Sequence, residues 1–112
     1  MMGHGLHLMV DGRREGPLAV PEAERFLVTL VGRVNMQVIA GPYVAVTPNG
    51  LAGAVVLAES HAMVHQEGAH VFAEIFSCRE FDPELVAAWM IEALGLTGAQ
   101  TQALRRGWLV EV

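Results

Sequence analysis

Residues 70 to 78, HVFAEIFSC, constrain the fold more than any other stretch of the chain. Their side chains sort by parity. Val71, Ala73, Ile75 and Ser77 fall on one side, and His70, Phe72, Glu74, Phe76 and Cys78 on the other. A period of two marks a strand whose two faces meet different surroundings. Three more segments read as strands: 5–11, 36–47 and 51–64. PNG at 48–50 and QEGA at 66–69 supply the turns that join the later ones as successive hairpins. Gly41-Pro42 interrupts the second strand and marks a bend or an edge position, because proline cannot donate to a ladder.

Two stretches change period. In PEAERFLVTLVGRV, Ala23, Phe26, Leu27, Leu30, Val31 and Val34 follow helical spacing, with Pro21 suited to a first turn. Asp82-Pro83 is a strong helix start and Gly95 a stop; between them Leu85, Val86, Trp89, Met90, Ala93 and Leu94 form an apolar stripe. The tail, 99–112, is expected to add a short strand around ALRRGWLVEV. The expected fold is α+β: one domain over residues 1–112, a two-layer sandwich of a mainly antiparallel four-stranded sheet with two helices on one face.

Composition narrows the function. At 53% apolar the chain is not disordered, yet no apolar run reaches 18 residues, so no membrane helix is expected. The opening MMGHGLHLMVDG has neither the charge nor the apolar length of a signal peptide. A net charge of −5, with no basic cluster beyond Arg105-Arg106, argues against nucleic acid and is compatible with a cationic small molecule. A single cysteine fits a reducing cytoplasm, and no His/Cys spacing suits a metal, so none is expected. There is no lysine, which excludes the usual lysine-bound pyridoxal phosphate.

Serine is scarce: only Ser60 and Ser77 occur, and Ser60 stands in AESHAMVH beside two histidines. Two readings of Ser60 stand side by side. It is a strand-end serine bonded to backbone, or its hydroxyl attacks the carbonyl of its own peptide bond, given a strained backbone and a base. The second course turns the peptide into an ester that eliminates, leaving a carbonyl that forms an imine with a substrate amine. His65 is either the proton handler or a solvent-facing residue. In a regular strand it points away from Ser60, so the strand bends or His65 serves another chain. His61 shares the parity of His65 and reads as a strand-face partner. Cys78 is a small buried hydrophobe or an exposed acid at a strand end. Glu74 is placed on the side of Cys78, where it pairs with a cationic ligand or is solvated. His4 and His7 read as ordinary.

GLHLMVDG, NGLAGAVVLAESHAMVH, AEIFSC, DPE and a late RRG, taken in order, resemble the short prokaryotic S-adenosylmethionine decarboxylases. The resemblance spans most of the chain, and its most specific part is AESH with a histidine five residues after the serine. It implies self-cleavage at Glu59-Ser60 into a β chain, 1–59, and an α chain, 60–112, that begins with a pyruvoyl group made from Ser60. It implies further that His65 accepts a proton in processing, that Cys78 protonates the decarboxylated carbon, and that a homodimer shares its active sites. The distance from Ser60 to Cys78 is two residues shorter than usual, with the loss at QEGA.

There are departures. The family carries a serine eight residues before the cleavage site, where this chain has Ala52; Thr47 or a water is the candidate substitute. A phenylalanine that stacks on adenine is replaced by Val46, with Tyr43 the candidate replacement, and the TWPE-like segment after the histidine is missing. The expected function is a self-processing pyruvoyl-dependent decarboxylase of polyamine biosynthesis acting on S-adenosylmethionine. The alternatives are a decarboxylase of ornithine or arginine with the same chemistry, and a non-cleaving regulatory or binding paralogue.

Overall fold

The alternating stretch is a strand, and its buried parity faces two helices. A computed structural model describes residues 2–109, with side chains from Gly5 to Gly107. In chain order the elements are β1 (Met2–Arg13), α1 (Val20–Arg33), β2 (Val38–Thr47), β3 (Gly50–Leu57), β4 (Ser60–Glu67), β5 (His70–Ser77), α2 (Pro83–Leu94) and β6 (Thr97–Leu109). The strands form one sheet in the order β2-β3-β4-β5-β1-β6, and every neighbouring pair is antiparallel.

The α+β class and the two helices match expectation, but the sheet has six strands rather than four. The 51–64 segment is not one strand. It folds back at Ala58-Glu59, and Leu57 pairs with Ser60. Neither turn residue is a glycine, asparagine or proline, the residues that signal such a turn. The tail forms a 13-residue strand along β1, not a short one; residues 110–112 lie outside the described part.

α1 buries Ala23, Phe26, Leu27, Leu30 and Val31 against Leu8, Val10, Leu51, Val55, Val64 and Ile75 of the sheet. In α2 the buried side is Val86, Ala87, Met90 and Leu94. Leu85 is 70% exposed, and Ala93 is also exposed. The expected stripe was therefore rotated by about one position, because it counted Leu85 at the helix start as core. Asp82 caps α2 by accepting from the Glu84 and Leu85 amides, and Gly95 closes it at φ +63°. The helices lock together where Phe26 stacks on Trp89 at 5.4 Å and Arg33 lies 4.8 Å from the Trp89 ring centre.

Two side chains tie the β1–α1 loop to the sheet and helices. Buried Gln66 donates to Gly16 O (3.0 Å) and accepts from Leu18 N (2.7 Å). Arg14 pairs with Glu22 (2.9 Å) and donates to Leu94 O at the end of α2 (2.9 Å). The edge strand β2 shifts register between Ala40 and Tyr43, where Gly41-Pro42 interrupts it. No helix among the described residues is long and apolar enough to cross a membrane.

Gly50 opens β3 with its Cα over the β4 backbone, so a Cβ there would overlap the Gln66 carbonyl. Gly50→Ala is expected to destabilise by about 1–3 kcal/mol, as overpacking does, read as a lower urea midpoint with an unchanged slope.

Candidate active site

The Ala58-Glu59 turn, the β5–α2 loop and the end of α1 meet at one end of the sheet. Because the turn contains two residues, Leu57 and Ser60 are directly paired and share a face. Leu57 is core, so Ser60 also points toward the helices and is only 9% exposed. Its Oγ accepts a hydrogen bond from Cys78 N at 3.2 Å. Cys78 lies just past β5 as a free thiol, half-buried against the core. Ser60 and Cys78, eighteen residues apart, are thus brought together.

Glu59 has φ +66°. That is the left-handed region, which costs a non-glycine residue about 1–3 kcal/mol and persists only where its surroundings impose it. The peptide bond between Glu59 and Ser60 therefore joins a strained residue to a buried one. The other non-glycine residue with positive φ among those described is Asn35, at +57°. Both line one cleft of about 560 Å³, with Met36, Gln37, Cys78 and Arg79. A neighbouring hollow of about 360 Å³ shares Asn35 and runs on along Arg33, Glu80, Phe81 and Asp82. Arg105 grips Glu80 with both guanidinium nitrogens (2.7 and 3.0 Å), and Glu80 raises the Arg105 pKa further; this ties β6 to the loop that carries Cys78.

His65 is not in this group. It faces the open side of the sheet, opposite Ala52, with its ring 6.0 Å from that of Phe72. Five residues of strand separate it from Ser60 by roughly 16 Å, and the two side chains leave opposite faces. Thr47, on β2, pairs with Gly50 of β3 and lies two strands from β4, so it does not fill the gap beside His65 left by Ala52. Tyr43 is 66% exposed on the same edge strand.

Glu74 also departs from expectation. It is on the open face, whereas Cys78, beyond the strand, turns toward the core, so the two do not share a side. Glu74 instead accepts from His61 Nε2 (3.1 Å) and lies 3.4 Å from His7 Nε2, without the alignment of a hydrogen bond. His7, read as ordinary, is thus part of a His-Glu-His cluster beside Phe76; the His4 side chain lies outside those described. No local pattern announces this cluster, because it needs the pairing of β1 and β4 with β5. Met9, Asp11, Met63, His65, Phe72 and Glu74 line a shallow hollow of about 320 Å³ on the same face.

The family model described as S-adenosylmethionine decarboxylase matches residues 7–107. The chain is 30% identical over 109 residues to the S-adenosylmethionine decarboxylase proenzyme of Pyrococcus furiosus, covering 92% of this chain and 78% of that one. It is 29% identical over 113 residues to the proenzyme of Thermodesulfovibrio yellowstonii, covering 96% and 84%. The crystal structure of the adenosylmethionine decarboxylase from Aquifex aeolicus superposes with a TM-score of 0.79 over 96% of this chain and 94% of that one. At 22% identity that likeness is one of fold.

The open face holds one clear electrostatic conflict. Partial burial raises the Asp11 pKa above 3.8, and the charge on Glu74 adds to the rise. Asp11 holds its proton more tightly folded than unfolded, so its contribution to stability falls as pH rises from 3.8 through the raised folded value. Asp11→Asn is therefore expected to raise the thermal midpoint modestly at pH 7, and the gain should vanish as the pH is brought down to about 3.8.

Proposed function

The chain belongs to the S-adenosylmethionine decarboxylase family, pyruvoyl-dependent decarboxylases made as proenzymes, and we propose that it cleaves itself between Glu59 and Ser60 and decarboxylates S-adenosylmethionine for polyamine synthesis. One observation carries this reading: a buried serine hydroxyl bonded to the amide of the chain's single cysteine, directly after a left-handed Glu59.

The residues present suit a pyruvoyl group at position 60. Ser60 is buried, and its neighbours Glu59 and Cys78, the latter a free thiol, line a cleft of about 560 Å³, the size of small-molecule sites. The group would supply an electrophilic carbonyl that takes the substrate amine and accepts the electron pair left as carbon dioxide departs. Everything else falls to the chain. Cys78 lies at the rim of the cleft and is the proton donor to the decarboxylated carbon. Burial of position 60 limits the access of water to the group itself. A working thiol of this kind belongs in a reducing compartment such as the cytoplasm.

His65 is the proton acceptor in processing, and it acts on Ser60 of the partner subunit in a homodimer. Its own Ser60 lies on the far face of the sheet. For His65 to reach the partner's Ser60, the partner's β3–β4 turn must lie over this open face, which carries Tyr43, Val56, Met63, Phe72 and Leu104 as exposed apolar groups. Glu74 and Tyr43 on that face are the candidates for substrate contact. Val46, 74% exposed on the edge strand, offers no aromatic surface. This favours a second reading, in which the same chemistry acts on a smaller amino acid such as ornithine or arginine.

Intact mass of purified protein is expected to give two chains, 1–59 and 60–112, with the second closed to Edman sequencing; Ser60→Ala should give one uncut chain. Uncut wild-type protein under all conditions defeats the proposal and leaves the reading of a non-cleaving paralogue. Carbon dioxide release from S-adenosylmethionine, ornithine and arginine then assigns the substrate.

Refolding Ser60→Ala together with His65→Ala is expected to restore cleavage that neither shows alone, because a mixed dimer joins an intact Ser60 to an intact His65. Failure of mixed dimers to cleave would place both residues in one protomer.

A further inference from the structure

The two serines of this chain lie at the same end of the neighbouring strands β4 and β5. The ladder between β4 and β5 ends at His61↔Phe76, and one further step sets Ser60 opposite Ser77. Ser77 is fully buried, and its hydroxyl makes two bonds to a single residue. It accepts from Arg79 N (3.0 Å) and donates to Arg79 O (3.1 Å). Both backbone groups of Arg79 are thus fastened to the end of β5, and Cys78 is the residue enclosed between them. The Cys78 amide, held in this way, points at Ser60 Oγ.

Resting on the self-cleavage reading above, we infer that Ser77 is a positioning residue for that reaction: it aims the Cys78 N–H at the Ser60 oxygen that must leave. The atoms explain why a donor is needed there. In the first step Oγ bonds to the Glu59 carbonyl carbon, the carbon–nitrogen bond breaks, and the hydroxyl proton ends on the Ser60 nitrogen. The product is an ester. In the second step a base removes the Ser60 Cα proton and the Cβ–Oγ bond breaks. The electron pair goes to Oγ, which leaves as one oxygen of the new Glu59 carboxylate. Water then converts the dehydrated residue to a ketone and ammonia.

Negative charge therefore develops on Oγ in the elimination, where the Cys78 N–H already sits. A fixed backbone donor at an oxygen that gains charge costs no reorganisation when the bond breaks. Cys78→Pro would remove the amide donor but also the thiol and the loop's freedom, whereas the clasp that directs it can be removed alone. Its loss should slow elimination more than acyl shift, so the ester should accumulate.

The test follows freshly expressed full-length protein by intact mass, with and without hydroxylamine, which cuts an ester but spares a peptide bond. For Ser77→Ala the expected result is about tenfold slower pyruvoyl formation, the effect on a rate of losing the one aimed bond from Cys78 N–H to Oγ. Hydroxylamine should also release residues 1–59 as the hydroxamate from material that is otherwise uncut. Ser77→Thr and Ser77→Val form a second, nearly isosteric pair; Thr should process like wild type and Val like Ala. Circular dichroism and the thermal midpoint select folded variants, and if Ala fails to fold the Thr/Val pair decides alone. Wild-type processing by Ala or Val, equal slowing by Thr and Val, or slowing without a hydroxylamine-sensitive ester would each overturn the inference. A wild-type chain that never cleaves defeats the self-cleavage reading itself, which is a separate outcome.

Discussion

The arithmetic of a two-residue turn governs this structure. In an antiparallel sheet, paired residues point the same way. Ala58 and Glu59 form the turn, so Leu57 and Ser60 are paired and Ser60 inherits the buried face of its partner. The same rule counts forward along β4: Ala62, Val64 and Gln66 point inward, while His61, Met63 and His65 point out. One more residue in the turn would reverse every one of these assignments. The hydroxyl would meet solvent and the imidazole would sit in the core.

This parity divides the chemistry between the faces. On the helix side, the Ser60 hydroxyl and the Cys78 amide lie beside a cleft bordered by Asn35 and Arg79. On the open side are His65, the His7–Glu74–His61 cluster and a run of exposed apolar groups. The sheet lies between the two sets and keeps them apart. A reaction that needs both a nucleophile from one set and a base from the other is then a reaction between two copies.

Much of this was legible in the residues themselves. The helix in PEAERFLVTLVGRV, the Asp82-Pro83 start, the shared face of Val71, Ala73, Ile75 and Ser77 and the bend at Gly41-Pro42 all follow from periodicity and turn chemistry. The opposition of Ser60 and His65 followed from counting alone. The β3–β4 turn did not, because its residues, alanine and glutamate, carry no turn signal; tertiary pairing imposes the left-handed Glu59 against local preference. The length of β6 was missed because its ladder partner, β1, is about ninety residues away. The clasp of Ser77 on Arg79 and the pairing of Glu74 with two histidines depend likewise on where strands lie in space.

The hairpin at Ala58-Glu59 also decides what a break there would leave behind. β3 is laced to β2 on its other side, and β4 to β5, so neither flank of the turn relies on it for its place in the sheet. Severing the link would give two fresh ends in the interior of an intact sheet, and the fragments would stay interwoven as one particle. Only Glu59 would relax, its torsion no longer forced by closure. Rejoining would mean winding that spring again, which tilts such a break toward staying open.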